Sequence, residues 1–282
     1  MTALADVSKK LSVSSRRHFI DPSEAIDWPD AISGSEWCMS PELTSLYGAP
    51  TWNSMTEAQQ KKLCFREAIN FFSVNLHGEA ALLEGIARRV NCERFADISE
   101  YLRHFIDEEN KHSMWFARFC SRYAGAVYPQ RKLSFPTEVE QTEADFVFFS
   151  QITLFEELVD RFNVLMAADT RLCQVVRDIN RLHHADETRH LHFGRKVMLD
   201  MWQRWSPAWS SETADRIRVS LDQYVETVWR ELFNPAVYAD AGISEPARVA
   251  MEGWVAREGF RTEMSEGCAR VLAGLDENRM HA

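Results

Sequence analysis

Residues 183–195 read HHADETRHLHFGR, four histidines set among acidic residues within little more than three helical turns. His183, Glu187 and His190 stand at i, i+4 and i+7, one stripe of a helix, so all three can point at one place. A shorter version of the pattern, EENKH at 108–112, repeats the Glu-x-x-His spacing with Glu109 and His112. Each signal has a matching segment upstream: FFSVNLHGE at 71–79 precedes the first and FFSQITLFE at 148–156 precedes the second. These agree at Phe-Phe-Ser and again at the closing Glu79 and Glu156. One order is therefore stated twice: a Glu, a turn to the next helix, then Glu-x-x-His.

Spacing alone is a cheap signal, because a single Glu-x-x-His arises often by chance and a buried Glu can simply bond a buried His. Here, however, the carboxylates fall on apolar stripes. Glu109 shares its face with Leu102, Phe105, His112 and Phe116, and Glu79 shares its face with Phe72, Leu76, Leu83 and Ile86. A carboxylate inside such a stripe is costly unless it is paired or binds a metal. Four stripes facing one another would gather four carboxylates and at least two imidazoles in a bundle core, the ligand set of a carboxylate-bridged di-metal site. Glu157 competes with Glu156, and Glu67 and Glu84 compete with Glu79; the matched repeat favours Glu156 and Glu79. His183 can add a third imidazole. Asp186 and Glu108, each just before a ligand Glu, face the neighbouring helix, where Asp186 can fix the tautomer of His112 and Glu108 that of His190. Their other reading is a solvated charge, or an ion pair with Arg189 or Lys111. His184 and His192 point elsewhere.

The rest of the chain fits a helical protein. Its 282 residues, 45% hydrophobic, can bury a substantial core, and one domain is expected. Apolar residues recur at helical spacing over about 56–90, 97–124, 138–169, 171–203, 211–233 and 244–275. Ser210 or Ser211 offers an N-cap for the fifth of these. Residues 1–55 carry Pro22, Pro29, Pro41 and Pro50 and read as an irregular arm; residues 56–282 read as one helical domain, with a core bundle over 56–203 and extra helices over 211–275. A net charge of −10 argues against a nucleic acid partner. No apolar run suggests a signal peptide or a membrane span, so a cytoplasmic location is expected. The six cysteines show no C-x-x-C and read as reduced packing residues.

DETRH at 186–190 resembles the D-E-x-R-H pattern of ferritin-like di-iron oxygenases, and His183 extends it to H-x-x-x-E-x-x-H, as in the AurF-type N-oxygenases. The resemblance covers about residues 65–200. It implies an all-α, ferritin-like four-helix bundle with additional C-terminal helices. It also implies a centre of two iron ions, cycling between Fe2+ and Fe3+, on Glu79, Glu109, His112, Glu156, His183, Glu187 and His190. Manganese is compatible with the same donors. The implied reaction uses O2 as co-substrate, passes through a peroxo-diferric species and oxidises an amine to a hydroxylamine, nitroso or nitro product. Electrons would come from a separate reductase or other external donor, since no flavin, dinucleotide or iron–sulfur signature is present. A homodimer is compatible with the fold. The alternatives are a di-iron hydroxylase or desaturase acting on C–H bonds, and an iron-storage protein. Arg161 and Arg195 are candidates for holding a substrate carboxylate.

Overall fold

The computed structural model describes residues 3–130 and 140–279. Among these the chain is helical: α1 (Ala3–Arg17), α2 (Pro50–Asn53), α3 (Glu57–Ala87), α4 (Ser99–Ala124), α5 (Gln141–Ala168), α6 (Gln174–Trp205), α7 (Ser211–Leu232), α8 (Pro235–Ala241), α9 (Pro246–Ala256), α10 (Glu258–Met264) and α11 (Glu266–Arg279). Extended pairing among the described residues is confined to one isolated bridge between Trp37 and Leu172.

The four long helices α3 to α6 form the bundle, with α3 packed on α4 and α5 packed on α6. Local chemistry sets their ends. Thr56 caps α3, with its hydroxyl accepting from the Gln59 N–H while the Gln59 side chain accepts from the Thr56 N–H. Gly125 ends α4 in the left-handed conformation at φ 69°, where a Cβ would be strained. Ser210 caps α7 through the Thr213 N–H, one of the two serines expected there.

The seam between α3 and α5 carries the internal repeat. Phe71 lies against Phe162 with ring centroids 5.3 Å apart. A Cβ on Gly78 would run into the Phe155 ring, and one on Gly85 would overlap Phe148. Residue numbers fall along α5 as they rise along α3, so the helices run antiparallel. Glu79 and Glu156 follow Gly78 and Phe155 directly, which brings the two repeated carboxylates to the same level. Phe71, Phe72, Phe116, Phe119, Phe146 and Phe193 are fully buried around them, filling the bundle interior.

Two parts differ from the sequence expectation in detail. The arm begins as a regular helix, α1, and becomes irregular only from about residue 18. Its inward face is Leu4, Ser8, Ser12 and Ser15, a mostly hydroxyl stripe without apolar periodicity. The expected helix over 244–275 is divided into α9, α10 and α11, which break at Arg257 and Ser265. The expected start of the third helix at 138 falls partly outside the described residues; α5 is seen from Gln141.

Candidate metal centre

The six residues Glu79, Glu109, His112, His183, Glu187 and His190 converge in the bundle core, all nearly without solvent contact. Their donor atoms form two overlapping groups, each within 4.8 Å: Glu79, Glu109, His112 and His183 in one, Glu109, His112, Glu187 and His190 in the other. Glu109 sits between the imidazoles of α4 and α6, with Oε2 2.8 Å from His112 Nδ1 and Oε1 2.8 Å from His190 Nδ1. Glu187 Oε1 lies 2.9 Å from His183 Nε2, 3.3 Å from His190 Nδ1 and 3.5 Å from His112 Nδ1. Glu79 Oε1 is 3.7 Å from His183 Nε2.

Glu156, from α5, is outside both groups but electrostatically coupled to Glu187, His190 and Glu109. It is 4% exposed, and neither of its oxygens has a hydrogen-bond partner among the described residues. Oε2 of Glu187 is likewise buried and unpartnered. Orphaned carboxylate oxygens in a dry core are costly, and a bound cation removes that cost. Three imidazoles and four carboxylates suit iron or manganese by donor chemistry. The residues therefore fit a di-metal group.

The rival carboxylates all have other partners. Glu84 is exposed and pairs with Arg88; Glu157 bonds Arg195; Glu67 accepts from the backbone N–H and hydroxyl of Ser45. His184 Nδ1 meets Asp160 Oδ1 at 2.7 Å on the bundle flank, and His192 is exposed. Neither arginine proposed as a carboxylate clamp reaches the cluster: Arg161 is exposed and Arg195 is taken by Glu157.

Around the centre, α4 and α6 exchange partners reciprocally. Asp186 Oδ2 lies 3.2 Å from His112 Nε2 and 3.1 Å from Lys111 Nζ. Glu108 Oε2 lies 2.8 Å from His190 Nε2, and its Oε1 accepts from Arg189 at 2.5 Å. Both carboxylates face the imidazoles named from the sequence and also form the ion pairs, and burial excludes the solvated charge. With each Nε2 committed to a carboxylate, Nδ1 is the nitrogen left to face the centre, where it would bind a metal once its proton is displaced. Sequence reasoning missed one partner. Asn163 places its amide 2.8 Å from Nδ1 of His183, the nitrogen facing away from the cluster, and an amide can offer either oxygen or NH2 there. Asn163 follows Glu156 by seven residues, two helical turns, and that spacing could have flagged it.

Charge in the metal-free cluster divides unevenly. Burial, and then the Glu109 carboxylate, push Glu79 well above the ordinary carboxylate range; burial and then Glu187 do the same to Glu156. Burial opposes ionisation of Glu109 and Glu187 as well, but the charged His190 beside them outweighs it, and Glu187 falls to about 2. Burial also opposes charge on His112, yet Glu109 and Asp186 raise it to about 9. Glu109 likewise lifts His190 against burial. A metal bound to these donors would displace the protons that the cluster otherwise favours.

A helical bundle that gathers carboxylates and imidazoles in its core is the arrangement of the ferritin-like di-metal proteins. The family described as "P-aminobenzoate N-oxygenase AurF" matches residues 2–278, and the chain belongs to it. No curated protein matches the sequence. In fold the chain is similar to an R2-like ligand-binding oxidase from Sulfolobus acidocaldarius, at 17% identity and a TM-score of 0.52 over 95% of this chain and 90% of that one. It is also similar to an R2-like ligand-binding oxidase with an aerobically reconstituted Mn/Fe cofactor, at 13% identity and a TM-score of 0.52 over 96% and 92%. No helix among the described residues is long and apolar enough to cross a membrane.

Proposed function

We propose that this protein is an N-oxygenase that holds two iron ions on Glu79, Glu109, His112, Glu156, His183, Glu187 and His190 and transfers oxygen from O2 to the nitrogen of a small amine. The net first reaction is RNH2 + O2 + 2 electrons + 2 protons giving RNHOH + H2O, and repetition leads to the nitroso and nitro levels. The observation that carries this reading is the buried third imidazole, His183, which reaches both Glu79 and Glu187. Bound iron would supply the electrons and Lewis acidity that activate O2.

The protein's own residues supply geometry and dryness. Asp186 and Glu108 hold the outer N–H groups of His112 and His190 and keep the inner nitrogens aimed at the metals. Against burial, Asp186 and Glu108 are held below the ordinary carboxylate range chiefly by the imidazoles they face, His112 and His190, and then by Lys111 and Arg189. Phe105 stacks on His190 with centroids 4.1 Å apart, and Phe116 meets His183 edge-on at 5.0 Å, walling the centre from water. The proposed electron source is a separate reductase or another external donor, and a homodimer is compatible with the fold.

The test is to load the protein with Fe2+ without oxygen, add an amine library under ¹⁸O2 with a chemical reductant, and read products by mass spectrometry. Hydroxylamine, nitroso or nitro products carrying ¹⁸O support the proposal. Turnover of C–H substrates with no N-oxygenated product would overturn it in favour of a hydroxylase or desaturase.

A further inference from the structure

We propose that Cys38 and Cys173 form a modification site, at which hydrogen peroxide converts the two thiols into a disulfide fastening the N-terminal arm to the start of α6. The two sulfurs lie 3.9 Å apart, and the residues are only 1% and 4% exposed. A disulfide needs about 2.05 Å between sulfurs and Cα atoms about 4.4–6.8 Å apart. The backbone already meets the second demand. Trp37 and Leu172 form a parallel bridge, and the Cys173 N–H donates to the Trp37 carbonyl at 2.9 Å, so the next residues lie side by side at neighbouring-strand spacing. Rotation of side chains closes the remaining gap.

The roles of the two thiols differ. Cys173 is the residue before α6, where aligned N–H groups favour a negative charge. Its pKa is lowered, chiefly because the Cys38 thiol donates to its sulfur, whereas the same contact and burial raise Cys38. Cys173 is thus the attacking sulfur. Its thiolate takes one oxygen of hydrogen peroxide and expels hydroxide, giving a sulfenic acid. The Cys38 sulfur then attacks that sulfur and releases the oxygen as water, the Cys38 proton joining the departing groups. The sum is 2 RSH + H2O2 giving RSSR + 2 H2O.

The bond would cross-link the chain across α2 to α5, and it would act on the arm. Met39, the next residue, lines a cavity of about 20 Å³ together with Leu43, Ser45, Glu67, Phe162 and Trp229. The arm already touches the α5–α6 connection at Ser40, which donates to Asp169 at 2.6 Å, and at Glu42, which accepts from Arg171. A disulfide makes this reversible contact permanent and keeps the cavity covered. Cys64 is the competing sulfur, buried on α3 and close enough to act electrostatically on Cys38.

The full-length metal-free protein is treated with hydrogen peroxide, quenched with an alkylating agent, digested without reductant and analysed by mass spectrometry. The expected result is a Cys38–Cys173 linked peptide, loss of two of the six thiols, and a Tm raised by roughly 10 °C that dithiothreitol reverses. Cys38→Ser and Cys173→Ser should each abolish both the linked peptide and the Tm rise; Cys64→Ser should leave them intact. A Cys38–Cys64 peptide would overturn the proposal. So would oxidation confined to the partly exposed Cys92, or a linked peptide without a Tm change.

Discussion

The two halves of the bundle, α3–α4 and α5–α6, were built to one plan and then made unequal. An offset of 77 residues takes Phe71, Phe72, Ser73 and Glu79 to Phe148, Phe149, Ser150 and Glu156. An offset of 78 takes Glu109 and His112 to Glu187 and His190, and Glu108 and Lys111 to Asp186 and Arg189. The reciprocal bonds between α4 and α6 obey that symmetry in space as well as in sequence. Two positions break it. The same offset of 78 takes Phe105 to His183, so only the second half contributes a third imidazole. The offset of 77 takes Glu67 to Ala144, so the Glu67 carboxylate has no counterpart at the matching position of the second half. Under the proposed function, the symmetry would make a place for two metals, and the exceptions would make those places different. Glu79 has His183 for a neighbour, while Glu156 has no hydrogen-bonding partner among the described residues.

The largest expected effect tests the symmetric part. Asp186→Ala should cost about 3–5 kcal/mol in urea unfolding, since it strands Lys111 and His112, and Glu108→Ala should cost less, since Arg189 keeps its second ion pair with Asp186; each should weaken iron binding by roughly 10–100-fold. A Glu108→Ala cost equal to or above that of Asp186→Ala would show that the Arg189–Asp186 pair does not compensate the loss of Glu108.

Next comes Glu67, the carboxylate without a counterpart. Burial raises its pKa to about 7, against the Ser45 hydrogen bonds that favour ionisation. Its native form thus holds a proton more tightly than the unfolded chain does. Its contribution to stability is complete below about pH 4.5 and is lost as pH rises towards 7, amounting to about 3 kcal/mol. The stability of the wild type relative to Glu67→Gln should fall by that amount between pH 4.5 and 8, and a flat difference would remove the argument.

The smallest effect contrasts Glu79 and Glu156. Glu156→Leu should stabilise the metal-free protein by about 1–2 kcal/mol, because it replaces a buried group without partners by an apolar one. Glu79→Leu should gain less, since Glu79 exchanges a hydrogen bond with Glu109. Equal gains would erase the asymmetry between the two carboxylates.

Much of this was legible in the sequence because repetition and helical spacing survive without coordinates. The long helices α3 to α6, the clustering of Glu79, Glu109, His112, His183, Glu187 and His190, and the facing of Asp186 and Glu108 towards the opposite helix all follow from periodicity. Other features carried no periodic signal. Helix α1 buries hydroxyls where an apolar stripe would have announced it. The divisions at Arg257 and Ser265 occur at residues that are not strong helix breakers. Glu67 looked like a rival to Glu79 because sequence could not show that Ser45, from the distant arm, satisfies it. Asn163 was missed because amides are common on helices and only the facing His183 gives this one a role.

The most direct test of the central claim is an anaerobic Fe2+ titration of the metal-free protein read by Mössbauer spectroscopy, beside His190→Ala. Two irons per chain in unequal environments, with loss of iron in the variant, is the predicted result. Iron that fails to bind, or that binds equally well without His190, would contradict the account.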